Sequence, residues 1–326
     1  MSVITDPALQ ASVILCAYTQ ERWNDLVAAV DSIRRQNTPA DEIIIVIDHN
    51  LDLYKMALAQ FPDIRVLENK GLRGLSGARN TGAENAGNPV VVFMDEDATA
   101  DPDWLTQLLP GYQDEQVIGV GGAVIPNWLG KRPAWFPEEF AWVVGCTYKG
   151  LPETVAPVRN MLGCNMSFRR EVFDRAGGFH ETLGRLGDRL LLSCEETEFC
   201  IRANRRFPHS QFVHNPRARV NHKVPTQRAT FHYFQRRCYA EGLSKARVAS
   251  YVGSGDGLSS EREYTLRTLP RGILRGIKNS FTEGNLTGLR KVSAIIAGLM
   301  ITSFGYLSGQ LIARPKLAKI SLLKPS

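Results

Sequence analysis

Residues 90–97 read Val-Val-Val-Phe-Met-Asp-Glu-Asp, an apolar run that ends in three acids. An unbroken run rich in β-branched residues is typical of a strand buried on both faces of a parallel sheet. Side chains alternate along extended backbone, so we expect Asp95 and Asp97 to face one ligand and Glu96 to point away. Two such carboxylates suit Mg²⁺ or Mn²⁺ and the oxygens of a diphosphate. The competing interpretation is an acidic loop that caps the next helix.

The same pattern extends towards the amino terminus, where apolar strands alternate with amphipathic helices. Strands are predicted at 12–17, 42–48 and 65–68, and helices near 23–36, 53–60 and 77–85. This order indicates a Rossmann-like α/β fold, with a mainly parallel central sheet flanked by helices. Such sheets bind ligands where the carboxyl ends of the strands gather. Tyr18 and Asp48 therefore join Asp95 as candidate nucleotide contacts, although Asp48 could instead only form the turn before His49 and Asn50.

Two further features follow the acidic triplet. Asp101 and Pro102 fit the N-cap and first position of a helix. Residues 119–157 are rich in Gly, Pro and Trp, and the regular pattern loosens there. We expect long loops in this stretch, of the kind that form lids or substrate walls.

A glycine-containing segment, residues 71–80, leads from a strand into a helix. Backbone amides at such a junction can bind phosphate oxygens, and Arg79 in the first helical turn is a candidate nucleotide contact. The segment matches neither the dinucleotide-binding nor the P-loop spacing, which argues against those two enzyme classes. A flexible turn without a ligand is the alternative.

Residues 193–198, Ser-Cys-Glu-Glu-Thr-Glu, have the composition of a helix start. Ser193 and Glu196 fit a capping box, and Glu198 and Arg202 fit an i,i+4 ion pair. A reaction in which a hydroxyl group attacks a phosphate-linked substrate needs a general base to accept the hydroxyl proton, and a carboxylate in a partly desolvated cleft can serve. Glu196 is the candidate base, with Glu195 beside it.

Residues 220–239 contribute further candidates. His222 lies in a predicted strand; it is either a structural histidine or a nitrogen ligand that joins Asp97 in a Mn²⁺-like site. In the following helix, Phe231, Phe234 and Cys238 share a face and are expected to lie in the core. Arg236 and Arg237 either bind the phosphates of an acceptor or form a solvated basic face.

The composition and net charge narrow the chemical classes of partner that this chain is expected to bind. The 326 residues carry a formal charge of +6 and a pI near 9.0, which favours anionic ligands. No basic-aromatic motif for nucleic acid is present, so no nucleic-acid partner is expected.

The six cysteines are scattered singly and predict buried thiols in a reducing compartment. Residues 1–10 contain no apolar signal core, so we expect the catalytic part in the cytoplasm.

The last quarter of the sequence predicts membrane contact. Residues 271–278 are basic and partly amphipathic, and residues 292–313 carry no formal charge. That length can span a bilayer, but its polar content is equally compatible with a helix that lies on the membrane or packs on protein.

We therefore expect a domain at 1–250, with a nucleotide-binding half (1–120) and an acceptor half (121–250). Residues 251–326 would form a helical region that associates with the cytoplasmic face of the cell membrane.

Taken together, residues 11–250 resemble glycosyltransferase family 2, an inverting family with the GT-A fold. The resemblance rests on the order of these segments: 12–18, 32–36, Asp48, 77–80, 95–97, 163–169, 177–179, and 195–202. It implies that Asp48 contacts the nucleotide base, Arg79 helps to hold the nucleotide, and Asp95 contacts the ribose or the metal. It further implies that Asp97 ligates Mn²⁺ or Mg²⁺. In similar enzymes the pair at Glu195 and Glu196 usually reads Glu-Asp, with the second residue as the base, and a histidine placed like His222 ligates the metal in some relatives.

The resemblance also bears on the type of transfer. Processive synthases carry Q-x-x-R-W, whereas this chain has Gln235-Arg-Arg-Cys-Tyr239, so a non-processive enzyme is expected. Residues 236–245 are more similar to a subgroup labelled glucosyl-dolichyl-phosphate glucuronosyltransferase. The predicted function is metal-dependent, inverting transfer from a nucleotide sugar, with UDP favoured, to a lipid-linked or saccharide acceptor. The alternatives are a sugar-phosphate nucleotidyltransferase and a non-catalytic carbohydrate- or nucleotide-binding module.

Overall fold

The computed structural model describes residues 9–183, 193–257 and 259–320. Residues 1–8 of the amino-terminal segment and residues 321–326 of the C-terminal region lie outside this description. The strands are β1 (Ala11–Ala17), β2 (Glu42–Ile47), β3 (Arg65–Glu68), β4 (Val90–Asp95), β5 (Ala98–Ala100), β6 (Val117–Trp128), β7 (Ala156–Val158), β8 (Asn165–Arg169) and β9 (Gln211–Val224). The helices are α1 (Trp23–Arg34), α2 (Leu51–Gln60), α3 (Leu75–Asn85), α4 (Trp104–Leu108), α5 (Glu171–Ala176), α6 (Glu195–Arg206), α7 (Phe231–Val252), α8 (Ser254–Gly257), α9 (Ser259–Glu263), α10 (Leu269–Glu283) and α11 (Thr287–Ile320).

The described strands form one mixed sheet in the order β3-β2-β1-β4-β8-β6-β9-β5, with β7 paired to β9. The first four strands are parallel, as the sequence predicted. Strand β8 then runs antiparallel to both β4 and β6, and β9 runs parallel to β6 but antiparallel to β5. The parallel half therefore carries the expected Rossmann-like order, and the second half adds a mixed extension.

The apolar strands are unbroken because both faces of the sheet are covered. In β1 every residue is buried; Val13 and Leu15 belong to one core cluster, and Ile14 and Cys16 belong to the other. This division follows from the alternation of side chains along a strand. All six cysteines are buried free thiols, as expected.

One local expectation after β4 was wrong, and a second was confirmed only in part. Asp101 does not cap a helix: α4 begins at Trp104 after the N-cap Asp103, and the Asp101 carboxylate accepts a hydrogen bond from Asn221. The stretch 119–157 contains the expected loops at 129–137 and 145–155, but its first part belongs to the strand β6, and Glu138–Val144 forms a 3-10 helix.

The glycines of β6 explain why the first part of this stretch is a strand. A Cβ on Gly122 would collide with the carbonyl oxygen of Ala218 and the side chain of Asn165, and one on Gly119 would collide with Phe212. These glycines therefore permit close packing within the sheet rather than a loop.

The two long C-terminal helices, α10 and α11, pack on each other, and α11 also packs on α7. Helix α11 lies along α7, where Gly242 and Gly305 leave room for the backbone of the opposite helix. By length and composition, its segment Thr287–Ile312 could cross a membrane. Several large apolar side chains of α10 and α11 are exposed, among them Phe281 and Phe304 at 83% and 65%, although the Phe304 ring also lies 6.0 Å from the ring of Tyr239 in α7.

Asn165 fixes the start of β8 in the interior. Its side-chain amide donates to the carbonyl oxygens of Ala123 and Ala218, both at 2.9 Å, and its oxygen accepts a hydrogen bond from Trp104 Nε1 at 2.9 Å. The packing of α4, β6 and β9 around β8 thus depends on the hydrogen bonds of one buried amide.

We predict that Asn165→Ala lowers the free energy of unfolding by about 3 kcal/mol, because it leaves buried groups without hydrogen-bond partners. The measurement is urea-induced unfolding followed by circular dichroism. The matched control is Asn127→Ala, at an exposed position of the neighbouring strand β6, which should change stability by less than about 0.5 kcal/mol. Equal stability of the two variants would contradict the structural role of Asn165.

Candidate active site

The carboxyl ends of β1, β2 and β4 open into a cavity of about 130 Å³. We call it the acidic cavity, because its lining includes Tyr18, Asp48, Asp95, Glu96, Asp97 and His222. The sequence placed five of these six residues in a ligand site. The sixth, Glu96, was expected to point away.

Asp48 is buried at the wall of the acidic cavity and is held from two directions. One carboxylate oxygen accepts from Asn69 Nδ2 at 2.7 Å, and the other accepts from the backbone N–H of Gly74 at 2.9 Å. Gly74 immediately precedes α3, so Asp48 fixes the glycine-containing segment that the sequence singled out. Its position in the cavity lining leaves it available to a ligand as well.

The chain turns sharply after Asp95, and this turn overrides the expected alternation. Strand β4 ends at Asp95, and Glu96 and Asp97 lie in a turn. Both contact the same cation: Arg22 Nη1 lies 2.7 Å from Glu96 Oε1 and 3.2 Å from Asp97 Oδ2. The expectation that Glu96 points away was therefore wrong.

The two turn acids have opposite pKa shifts. Burial, and next the charge of Asp97, raise the pKa of Glu96 to about 7. Burial also acts to raise the pKa of Asp97, but the adjacent His222, together with Arg22 and Arg228, outweighs it and holds that pKa below its usual range. Asp97 is thus the carboxylate that remains charged and able to bind a cation.

Sheet pairing brings His222 to Asp97. Strand β5 follows directly after the triplet and pairs antiparallel with β9, so that Ala98 lies opposite His222. His222 is buried, and its Nε2 lies 3.2 Å from Asp97 Oδ1, while its Nδ1 lies 3.8 Å from Cys146 Sγ. Asp97 and His222 are therefore in contact, as the sequence analysis predicted.

A cysteine that the sequence analysis did not assign to the site completes this cluster. One ligand atom each from Asp95, Cys164 and His222 lie within 4.8 Å of one another. Cys164 immediately precedes β8, which pairs with β4 so that Asn165 lies opposite Met94. Burial raises the pKa of the Cys164 thiol well above its usual value. Carboxylate oxygens and an imidazole nitrogen fit the Mn²⁺ or Mg²⁺ that the sequence predicted.

Arg79 lies between two acids and is only 2% exposed. Its guanidinium donates to Asp95 Oδ1 at 3.1 Å, to Glu195 Oε1 at 2.8 Å, and to the carbonyl oxygen of Gly163 at 2.9 Å. The structure therefore places this predicted nucleotide contact where it connects the end of β4 to the start of α6.

Helix α6 does not begin with the expected capping box. Its N-cap is Cys194, which has a left-handed backbone (φ 73°) and makes no side-chain cap. The Ser193 hydroxyl instead donates to Glu241 Oε2 at 2.8 Å. The capping function proposed for Glu196 was thus wrong, whereas the expected pair of Glu198 and Arg202 is present at 2.8 Å.

The environment of Glu196 is that of an acid–base group. Burial, followed by the charge of Glu195, raises the pKa of Glu196 to about 8. Glu195 Oε2 is buried and has no hydrogen-bond partner among the described residues. The pKa of Glu196 therefore lies close enough to neutral pH for this carboxyl group to gain and lose a proton.

Glu195 and Glu196 line a second cavity of about 460 Å³, which we call the large cavity. It shares Asp95 with the acidic cavity, so the two spaces meet at the end of β4. Side chains of α11, including Leu299, Thr302 and Tyr306, form part of its wall.

The two arginines predicted to bind an acceptor differ in position. Arg237 is buried and lines the large cavity, where it lies 3.8 Å from Glu241, whereas Arg236 is exposed. Phe234 and Cys238 are in the core as expected, but Phe231 is 41% exposed. The helical turn that buries Arg237 therefore turns Arg236 to solvent.

The sequence analysis missed four other charged residues of the large cavity. Lys245 Nζ lies 2.6 Å from Glu261 and 3.2 Å from Glu241, and Arg159 Nη1 lies 2.6 Å from Glu261. The spacing of four between Arg237, Glu241 and Lys245 was a readable signal for one helix face. Arg159 and Glu261 could not be found this way, because they are 102 residues apart.

Comparisons with known proteins agree with this geometry. Residues 12–177 match the model of the family described as Glycosyl transferase family 2. The chain is 34% identical over 309 residues to a glucosyl-dolichyl phosphate glucuronosyltransferase of Haloferax volcanii, covering 93% of this chain and 97% of that protein. It is 25% identical to the succinoglycan biosynthesis protein ExoM of Rhizobium meliloti, covering 84% of this chain and 82% of that protein.

A solved structure shares the fold. It is a mannosyltransferase from Pyrobaculum calidifontis in complex with GDP-Man and Mn²⁺, with a TM-score of 0.56 and 19% identity. The similarity covers 91% of this chain and 88% of that one.

Proposed function

The chain belongs to glycosyltransferase family 2, and on that premise we propose that it transfers a sugar from a UDP-sugar to an acceptor linked to a lipid phosphate, with inversion. The observation that carries this proposal is the junction of the two cavities at Asp95. Acids suited to a cation and a nucleotide lie on one side of it, and the protonatable Glu196 lies on the other.

The acidic cavity is assigned to the donor. Tyr18, Asp48 and Asp95 bind the nucleotide, with Asp48 as the acceptor of hydrogen bonds from the base. Asp97, Asp95 and His222 hold a divalent cation. When bound, Mn²⁺ or Mg²⁺ supplies positive charge that stabilises the departing nucleoside diphosphate.

Arg79 is assigned to the orientation of the two acids it contacts. Its guanidinium is engaged by Asp95, Glu195 and the Gly163 carbonyl group, so its effect on the nucleotide passes through Asp95. This interpretation keeps Arg79 in the donor site without requiring a direct phosphate contact.

Glu196 is assigned as the general base. The acceptor hydroxyl loses its proton to the Glu196 carboxylate as its oxygen bonds to the anomeric carbon. The bond from that carbon to the donor phosphate oxygen breaks, and the nucleoside diphosphate leaves. A single displacement from the face opposite the leaving group inverts the configuration. Glu195 supports this step, because its charge favours proton uptake by Glu196.

The large cavity is assigned to the acceptor. Arg237, Lys245 and Arg159 supply cationic groups for an acceptor phosphate, and the wall from α11 adds apolar surface for a lipid chain. The Haloferax relative, whose name specifies a glucosyl-dolichyl phosphate acceptor, supports this choice over a free saccharide.

We predict that Glu196→Gln reduces turnover by roughly 10²- to 10⁴-fold, because the amide cannot accept the proton. Glu196→Asp should keep part of the activity, since it keeps a carboxylate. In the wild type, the rate should increase as the pH is raised through about 8, because deprotonation creates the base. The measurement is the initial rate of UDP release as a function of pH.

The control for this experiment is Glu84→Gln, at an exposed glutamate of α3, which should leave both the rate and its pH profile unchanged. Donor binding by Glu196→Gln should also remain, as judged by thermal shift. Near-normal turnover of Glu196→Gln, or an unchanged pH profile, would remove Glu196 from the mechanism.

We predict that a UDP-sugar with Mn²⁺ raises the melting temperature by roughly 5 °C, and that GDP- and dTDP-sugars raise it less. Asp97→Asn should lose the increment that depends on Mn²⁺, since Asp97 is a proposed ligand. The exposed control Asp52→Asn should retain that increment. A larger shift with another nucleotide would replace UDP as the donor, and a shift independent of Mn²⁺ would remove the metal from the site.

The C-terminal helices are assigned to the cytoplasmic surface of the membrane rather than to a span. One face of α11 packs on α7 and lines the large cavity, so it is occupied by protein. The other face exposes Met300 and Phe304, and α10 adds Phe281 with basic residues nearby. A helix pair with one protein-packed face and one exposed apolar face suits the headgroup region.

We predict that replacing both Phe281 and Phe304 with Ser weakens binding to anionic lipid vesicles at least about tenfold, because each exposed ring contributes apolar area to membrane contact. The measurement is vesicle co-sedimentation. The control replaces Met56 and Leu58, two exposed apolar residues of α2, with Ser. An alkaline carbonate wash of cell membranes should release the wild type, and retention in the pellet would instead indicate a span.

A further inference from the structure

Cys164 lines the large cavity beside Asp95, and the proposed reaction gives it no role. Its Sγ, a carboxylate oxygen of Asp95 and a ring nitrogen of His222 lie within 4.8 Å of one another. Ligand atoms around one tetrahedral zinc ion lie roughly 3.5 Å apart, given its usual bond lengths. Small side-chain rotations would therefore bring these three atoms into one coordination sphere.

The backbone fixes this arrangement through two separate pairings. Asp95 is the last residue of β4, and the antiparallel partner β8 begins at Asn165, directly after Cys164. His222 is opposite Ala98 in the pairing of β5 with β9. All three residues are thus held by the sheet rather than by one local loop, as a preorganised metal site requires.

The orientation of His222 also fits a ligand. Its Nε2 lies 3.2 Å from Asp97 Oδ1, and its Nδ1 lies 3.8 Å from Cys146 Sγ. A metal-binding histidine normally has its second ring nitrogen held by a neighbouring group. Cys146 is in the position to hold Nδ1, which leaves Nε2 on the side of the acids.

The combination of ligand types carries the inference. A carboxylate, an imidazole and a thiolate select borderline-soft cations such as Zn²⁺ and Co²⁺ over Mg²⁺, and three protein ligands leave an open fourth position. We propose that Asp95, Cys164 and His222 form a site for Zn²⁺ or Co²⁺ in which Cys164 is a thiolate ligand. On binding, the S–H bond breaks, the proton passes to the buffer, and a sulfur–metal bond forms.

The zinc or cobalt site shares Asp95 and His222 with the Mn²⁺ or Mg²⁺ position of the proposed function. The inference rests on the proposed function only through these two shared residues. It assigns the preference for soft cations to the Cys164 thiolate, because the Mn²⁺ or Mg²⁺ position has only oxygen and nitrogen ligands. A soft cation bound there would compete with Mn²⁺ for two of its ligands.

The test is titration of the purified full-length protein with Co²⁺, followed by absorption spectroscopy. The wild type should develop an intense thiolate-to-cobalt charge-transfer band in the near ultraviolet. Cys164→Ser should lose this band and bind Zn²⁺ at least about tenfold more weakly. Cys16→Ser is the matched control, because it removes a buried thiol that lines the acidic cavity, and it should keep the band.

A second measurement uses only the wild type, so it does not depend on folding of a variant. X-ray absorption of the zinc-loaded protein should show one sulfur neighbour at about 2.3 Å. A cobalt complex without the charge-transfer band, a band that persists in Cys164→Ser, or a zinc shell without sulfur would each overturn the proposal. Neither sugar donor nor acceptor is present, so these outcomes are separate from success or failure of the proposed sugar transfer.

Discussion

The arrangement of both cavities depends on one buried guanidinium group, that of Arg79. Taking a cation and two carboxylates out of water costs several kcal/mol per ion unless they pair closely. Arg79 meets this requirement by contacting Asp95, Glu195 and the carbonyl oxygen of Gly163 at once. Because these three groups come from the end of β4, the start of α6 and the residue before Cys164, a single side chain fixes three parts of the site relative to one another.

The charge balance around Arg79 also explains how neighbouring acids can behave differently. One guanidinium faces two carboxylates, so the negative charge of Glu195 is not fully compensated at the adjacent Glu196. Burial and that charge together raise the pKa of Glu196 to about 8. Asp97 lies among Arg22, His222 and Arg228 and remains ionised. The protein thereby keeps one buried acid ionised and raises the pKa of another towards neutral pH, as the two roles in the proposed reaction require.

The parallel half of the fold and most of the acidic cavity could be predicted from the sequence, because their signals are local. Continuous apolar runs mark β1, β2 and β4, and the acids follow directly at the strand ends. The failures occurred where a distant partner decides the outcome. Ser193 donates to Glu241 instead of capping α6, and the glycines of β6 fit against β8 and β9. Cys164 entered the site through the pairing of β8 with β4, which no local pattern of a single sequence reveals.

The C-terminal helix is better understood as part of the site than as a tether. Its Leu299, Thr302 and Tyr306 line the same cavity as Glu196, while Gly242 and Gly305 allow α11 to approach α7 so closely that larger residues would collide. A helix inserted across a bilayer would have to separate from α7 or carry α7 with it, and α7 has the buried charges of Arg237, Glu241 and Lys245. Burying those charges in lipid is far more costly than leaving one apolar face of α11 against the headgroups. The packing of α11 on α7 therefore completes the wall of the large cavity, and under the proposed function it would also hold that cavity close to the membrane surface.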